Sequence, residues 1–218
     1  MQNLSVTQQY FVCTVNGKGK ISDISTEKRV CLVAAGLLEL QMEAVIELNQ
    51  KKASAIRELP QKLNCLSPLF CFIRERTPVK IERILEEYCY SLTDKRLNEL
   101  MASIGKSLAE MGCAHPSQSG MFGTQTVYIP RKETLGRIVD WLRAELLEKG
   151  AVTEDAAALA VLLDRSRTLK LYFSAFEQKE LREKLKIMSQ SPAGKQVKAM
   201  VEYVENLIAL MTVLMVSH

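Results

Sequence analysis

Basic side chains are the residues of this chain whose type and spacing best suit a chemical role. Six of them form the candidate anion-binding set: Arg131, Lys132, Arg137, Arg165, Arg167 and Lys170. Lysine and arginine bind the acidic headgroups of lipids or the phosphates of nucleic acid. Residues 165–186 hold seven basic and three acidic side chains, a surplus as large as that of the whole chain. The simpler alternative is a solvated cationic surface without a ligand.

The residue types that carry catalysis or metal binding occur without the partners they need. His115 is one of two histidines and lies two residues from Cys113, which is too few ligands for zinc. Glu39 and Glu43 share a helical face, and we expect them to be solvated or ion-paired rather than a catalytic pair. Residues 17–20 alternate glycine and lysine but lack the GxxxxGK spacing of a phosphate-binding loop. The sequence therefore predicts no enzymatic activity, no metal and no cofactor.

Composition and cysteine usage indicate a globular protein of a reducing compartment. The chain has 218 residues, 47% hydrophobic and 25% charged, with a formal net charge of +4. These values predict one domain over residues 1–218, and the mild charge argues against an obligate nucleic-acid binder. The six cysteines form no CxxC pair and no secretory signal is recognisable, so we expect reduced, structural cysteines and a cytoplasmic protein. The apolar run at residues 207–216 is too short to span a bilayer and predicts a buried helix.

The amino-terminal quarter of the chain combines strand-like and helix-like patterns. Residues 4–15 predict a short apolar strand, which ends at a glycine-containing turn. Residues 30–42 predict a helix buried on most of its circumference, with Thr26 as its N-cap. The small residues at 34–36 should let neighbouring elements approach this helix closely. Residues 45–59 predict a hairpin.

The rest of the chain is patterned mainly for helices. Apolar periodicity, with Thr93 and Thr153 as N-caps, predicts helices at residues 66–74, 79–90, 91–111, 130–149, 153–163, 169–188 and 195–216. A second hairpin is predicted over residues 113–129. The predicted fold is mainly α, a compact helical domain around a central helical bundle with two β-hairpins.

The tip of the second hairpin carries two apolar side chains where a solvated turn is usually polar. Met121 and Phe122 lie between Gly120 and Gly123. They either pack onto the body of the protein or form a contact with a membrane or a second subunit. The hairpin is therefore also a candidate for oligomerisation.

Several segments together resemble the Golgi phosphoprotein family, the peripheral membrane proteins that bind phosphatidylinositol 4-phosphate. The resemblance rests on the apolar block 4–15, the turn 17–19, Leu-Leu-Glu-Leu-Gln-Met at 37–42 entering Val-Ile-Glu-Leu at 45–48, and the run 157–166 before Leu-Tyr-Phe at 171–173. It implies a bacterial-type member with a mainly α-helical fold, no enzymatic activity, and attachment to the inner face of a membrane or to membrane-protein tails.

The phosphoinositide pocket of that family provides a further comparison. The family uses a tryptophan before the first buried helix, an arginine within it and two basic residues on a later helix. The corresponding positions here are Ile24, Val33, Arg137 and Asp140. The resemblance therefore implies binding of anionic phospholipid headgroups, a phosphoinositide among them, without specific recognition of phosphatidylinositol 4-phosphate. Trp141 is expected to be a packing residue.

Two functional hypotheses follow from these observations. The first is a non-enzymatic protein that associates with anionic membrane surfaces through its basic helices. The second is a winged-helix-like nucleic-acid binder, with residues 91–111 as the recognition helix and 113–129 as the wing. Lys106 stands between Glu99 and Glu110 on that helix, whereas recognition helices offer more basic and amide side chains. Nucleic acid is therefore not the expected partner.

Overall fold

The structure is a computed structural model that describes residues 4–22, 25–49, 51–120, 124–148, 150, 152–190 and 195–216. The predicted contact residues Met121 and Phe122, and the family position Ile24, lie outside the described residues.

Helices dominate the described part of the chain, as predicted. The α-helices are α1 Val6–Thr14, α2 Thr26–Met42, α3 Ser67–Glu75, α4 Ile81–Cys89, α5 Lys95–Glu110, α6 Lys132–Leu147, α7 Glu154–Arg165, α8 Ala175–Gln190 and α9 Lys195–Val216. The strands are β1 Ile46–Asn49, β2 Lys52–Ala55, β3 Val79–Lys80, β4 Ala114–Ser119 and β5 Gln125–Pro130. Two short 3₁₀ helices, Gln61–Leu66 and Leu169–Leu171, join longer elements. The mainly α fold class is confirmed.

Helix α1 corrects the prediction of a strand at residues 4–15. Ser5 Oγ accepts the Gln8 N–H at 3.3 Å, and Gln8 Oε1 accepts the Ser5 N–H at 3.0 Å. This reciprocal capping box satisfies two backbone donors that a helix start leaves unpaired. Tyr10, Phe11 and Val12 are consecutive and all buried, so α1 is enclosed on several sides. Because continuous burial removes the amphipathic pattern, the apolar spacing was not a reliable guide there.

Helix α2 is the buried helix that the sequence predicts. Every residue from Val30 to Leu40 is buried, and the helix contacts α1, α4, α7, α9 and β1. A Cβ placed on Gly36 would lie 2.9 Å from Leu69 Cδ2, so the expected close approach is present. The predicted cap is wrong: Thr26 is the first helical residue, and the N-cap Ser25 makes no side-chain capping bond.

The first hairpin belongs to a three-stranded antiparallel sheet ordered β1–β2–β3. Ile46 pairs with Ala55, and Ala53 pairs with Val79. The third strand was expected as the first turn of a helix; instead Val79 is buried against β2 and α4 begins at Ile81. Two residues are too few to show a strand period.

The second sheet is the predicted hairpin, β4 paired with β5 in antiparallel register from Ala114–Pro130 to Ser119–Gln125. It packs on α5, where a Cβ on Gly105 would lie 2.5 Å from Tyr128 Cβ. Helix α5 begins four residues later than predicted. Its N-cap is Asp94 rather than Thr93, and the Asp94 carboxylate pairs with Arg29 Nη1 at 2.8 Å.

The predicted helix over residues 169–188 is interrupted. A 3₁₀ turn ends at Leu171, and α8 starts only at Ala175. Ser174 restarts the helix: its Oγ accepts the Glu177 N–H at 3.3 Å, and Glu177 Oε2 accepts the Ser174 N–H at 2.7 Å. Such capping bonds stabilise a new helix start at this position.

The cysteines of the structure are free, as expected, and differ in exposure. Cys13, Cys31, Cys65, Cys89 and Cys113 are buried, and Cys71 is partly exposed. Burial raises the pKa of the Cys13, Cys31 and Cys65 thiols to about 12. Since the thiolate is the reactive form, these thiols should react slowly in the folded protein.

We predict one faster thiol, Cys71, and five slow ones when the native protein is treated with a maleimide. Complete labelling should follow rapidly in denaturant. Mass spectrometry of the time course measures both phases. Equal native rates at all six positions would contradict the burial of the other five.

Candidate anion-binding site

Helix α6 positions the most promising member of the basic set. Thr134, Ile138 and Leu142 form part of its buried face. Arg137 and Trp141 lie one turn apart beside that face, where the helix surface meets solvent. Burial of one face of α6 therefore places the exposed guanidinium of Arg137 next to the half-buried indole of Trp141.

A small pocket lies between α6 and the start of the chain. Its lining is Leu4, Gln9, Cys113, Thr134, Arg137, Ile138 and Trp141, and its volume is ≈ 40 Å³. That volume holds roughly three water molecules, because each needs about 10–15 Å³ on this measure. A larger ligand would thus make most of its contacts at the rim, where Arg137 lies.

Two buried polar atoms in this pocket have no hydrogen-bond partner among the residues that the structure describes. Thr134 Oγ1 is unpaired although the residue is only 2% exposed, and Gln9 Oε1 is also unpaired. The amide nitrogen of Gln9 is used elsewhere, since Nε2 donates to Leu4 O at 2.8 Å. Buried polar groups are nearly always satisfied, so these atoms mark a place where a ligand or water group belongs.

The six predicted basic residues do not form one site. Arg165 pairs with Glu205, and Arg167 lies 3.8 Å from Glu27. In the described part of the chain, four members have no carboxylate within ion-pair distance: Arg131, Lys132, Arg137 and Lys170. On α6, Lys132 and Arg137 are about 140° apart around the axis, given 100° per residue. The free charges are therefore spread over a surface, and only Arg137 adjoins the pocket.

A second cavity contains Arg165. This cavity of ≈ 510 Å³ lies between α7, α8 and α9. Besides the Arg165–Glu205 pair, it contains Arg182, whose Nη2 is 2.6 Å from Asp164 Oδ1. These arginines are neutralised by neighbouring carboxylates, so the cavity offers less attraction to an anion than the Arg137 rim does.

The positions that correspond to the phosphoinositide pocket of the family differ in burial and in their contacts. Val33 is fully buried in α2, so this position cannot present a side chain to solvent. Asp140 is exposed and pairs with Arg143 at 3.3 Å. Trp141 packs against the core, as predicted, and also forms a wall of the small pocket.

A model of the family described as Golgi phosphoprotein 3 (GPP34) matches residues 7–204. The chain belongs to this family. The matched range runs from α1 into α9, and the match confirms the resemblance seen in the sequence. No curated protein matches the chain. Among the described helices, none is both long and apolar enough to cross a bilayer.

Of the carboxylates Glu39 and Glu43, only Glu39 differs from the prediction. Glu43 pairs with Lys62 at 2.6 Å, as expected, but Glu39 is buried and accepts the Thr7 N–H at 3.2 Å. Burial raises the pKa of the Glu39 carboxyl, although the hydrogen bonds from Thr7 and Ser5 lower it. Glu39 and Asp155 line one surface cleft, and the negative charge of Asp155 adds to the rise in the pKa of Glu39.

Two pocket residues, Gln9 and Thr134, escaped the sequence analysis. Gln9 lies within residues 4–15, which predict a strand and therefore give no sign that it lies on a helix. Thr134 borders the apolar stripe of α6 and is more deeply buried than its neighbour Leu135. The sequence signal for Thr134 is its position one helical turn before Ile138, which places it on the buried face of α6.

Replacing Glu39 by glutamine should stabilise the protein at neutral and alkaline pH. A carboxyl with a raised pKa in the folded state favours folding most below its unfolded pKa of about 4.3, and stability falls as pH rises through the folded pKa. Glu39→Gln removes this loss and keeps an acceptor for Thr7. Its melting temperature should exceed that of the wild type by a margin that grows as pH rises from the unfolded pKa to the folded pKa and then stays constant. Glu43→Gln, with the same charge change at an exposed ion pair, should show no such trend; a parallel trend would contradict the assignment.

Proposed function

We propose that this protein binds peripherally to anionic membrane lipids, with Arg137 and the adjoining pocket as the contact for a phosphate group. The observation that carries this proposal is an exposed arginine without an ion pair in the described structure, beside the unpartnered Thr134 hydroxyl. An anionic oxygen at the rim would accept from both. The role is binding without catalysis.

The physical chemistry of the rim suits a lipid headgroup. Guanidinium forms paired hydrogen bonds with phosphate oxygens. Trp141 presents an amphipathic ring of the kind enriched at membrane interfaces. Arg131 and Lys132, at the start of the same helix, each add about 1 kcal/mol of attraction when close to an anionic surface. The protein would thus be held at the inner face of a membrane mainly by charge.

Specific recognition of phosphatidylinositol 4-phosphate is not part of this proposal. Such specificity needs several fixed donors around one ring, and the position of the family arginine in α2 is the buried Val33. A pocket of ≈ 40 Å³ also leaves most of a headgroup outside. We therefore propose selection for negative charge, in which a phosphoinositide is one acceptable lipid.

The nucleic-acid alternative receives less support from the structure. The exposed positions of α5 are Lys95, Glu99, Lys106 and Glu110, so its outer face has no net charge. The opposite face is occupied by core packing and by the hairpin. A recognition helix requires an accessible basic surface.

Arg137→Glu should weaken binding to phosphatidylcholine vesicles that contain phosphatidylserine. Loss of attraction and gain of repulsion together amount to about 2 kcal/mol, or roughly a 30-fold weaker affinity. Co-sedimentation over a lipid titration measures this change. Binding should also weaken with salt.

Lys80→Glu is the matched control, since it makes the same charge change on the exposed side of β3. Its affinity should stay within a few-fold of the wild type. Arg165→Gln should likewise have a small effect, because Glu205 already neutralises that charge. Equal affinity of Arg137→Glu and wild type, with helical content preserved by circular dichroism, would refute the proposed contact.

A further inference from the structure

The segment 171–176, between the 3₁₀ turn and α8, exposes two large apolar side chains. Leu171 is 60% exposed and Phe176 is 69% exposed, five residues apart. We call this segment the apolar corner. Exposed leucine and phenylalanine close together in a connecting segment are a candidate contact surface.

Tertiary contacts hold the backbone of the apolar corner in place. The Tyr172 hydroxyl donates to Cys13 O at 2.6 Å, which attaches the corner to the end of α1. Arg143 Nη2 donates to Tyr172 O at 3.1 Å, which attaches it to α6. Phe173 is buried between the two exposed residues, with the Arg143 guanidinium 5.2 Å from its ring centre. The corner is therefore a preformed feature.

The start of α8 is equally well fixed. The Ser174 and Glu177 capping bonds define the helix start, and Arg143 Nε lies 3.0 Å from Glu177 Oε1. Hydrogen bonding to Ser174 and to Arg143 lowers the pKa of the partly exposed Glu177 carboxyl, so it stays charged and paired. Phe176 thus projects from the rigid first turn of a helix.

Exposed lysines lie next to the corner in the chain and in the turn that follows α1. Lys170 directly precedes the corner and is exposed. The turn after α1 exposes Lys18 and Lys20, whose backbone N–H groups both donate to Asn16 Oδ1. Within the described ranges, these three lysines have no carboxylate at ion-pair distance. Exposed apolar side chains next to a lysine match the chemistry of an anionic lipid interface.

The same two helices form the Arg137 pocket and hold the corner. On α1, Gln9 of the pocket and Cys13 of the corner are one turn apart, about 6 Å along the axis. On α6, Arg137 and Arg143 are separated by about 9 Å along the axis. These two arginines are also about 120° apart around that axis, so the pocket and the corner occupy different parts of the surface.

We propose that the apolar corner inserts Leu171 and Phe176 into the interfacial layer of an anionic bilayer. This inference rests on the proposed function and assigns it an apolar anchor. A lipid surface is favoured over a second protein because two side chains provide far less area than the roughly 800 Å² per partner of a stable interface. An anchor of this size supplements electrostatic attraction.

The test compares two double variants that each remove two exposed apolar side chains. Leu171→Ser with Phe176→Ser removes the anchor, and Ile56→Ser with Leu92→Ser is the matched control on distant loops. Vesicle flotation with and without phosphatidylserine should show at least a roughly tenfold weaker affinity for the anchor variant alone. Thermal melting checks that both variants are folded.

A spectroscopic arm tests insertion directly. When anionic vesicles are added, the emission of Phe176→Trp should shift to shorter wavelength by more than that of the wild type, whereas Leu92→Trp should shift no more than the wild type, whose signal comes from Trp141 alone. Both variants retain Trp141, so the background is the same. A shift in Phe176→Trp no larger than that of the wild type would overturn the anchor.

The outcomes separate the two proposals. If the anchor variant binds like the wild type, the anchor is wrong and the Arg137 contact stands. If the anchor variant loses binding while Arg137→Glu does not, the Arg137 contact is wrong and the anchor stands. Absence of wild-type binding to any vesicle overturns both. If the anchor variant sediments more like a monomer than the wild type while its vesicle binding is intact, the corner contacts a second copy of the chain and the lipid anchor is wrong.

Discussion

The burial of α2 on all sides is the constraint on which the rest of the structure depends. A helix without a solvent face requires neighbours around its whole circumference, and α1, α4, α7, α9 and β1 supply them. Burying one leucine or valine side chain contributes about 1.5–3 kcal/mol, so the run from Val30 to Leu40 is a large share of the core. Gly36 permits one neighbour to come closer than any side chain would allow.

Elements with a one-sided apolar pattern and a clear cap were predictable from sequence. Thr153 is the cap of α7, as expected, and its Oγ1 accepts the Ala156 N–H. The errors fall where that pattern is weak. Helix α1 is buried on several sides, β3 has two residues, and the break before α8 depends on Ser174 and Glu177. In the first and last cases, a serine followed three residues later by Gln or Glu was the local signal.

The candidate site was predictable in its charges and not in their pairing. Arg137 and Arg165 look alike in sequence, yet Glu205 neutralises one of them from forty residues away. Only the packing of α7 against α9 brings that carboxylate close. The unpaired oxygens of Gln9 and Thr134 also depend on which helices face each other. Sequence thus indicates an anion-binding surface, while tertiary contacts select the part of it that remains free.

The enclosure of α2 has a consequence for synthesis of the chain. Two of its neighbours, α7 and α9, lie more than a hundred residues downstream, so its surface cannot be covered until most of the polypeptide has left the ribosome. Such long-range closure slows folding, and an apolar segment exposed in the meantime is prone to aggregate. The nascent protein should therefore depend on chaperones during translation, and truncation before α9 would leave an insoluble product rather than a smaller folded one.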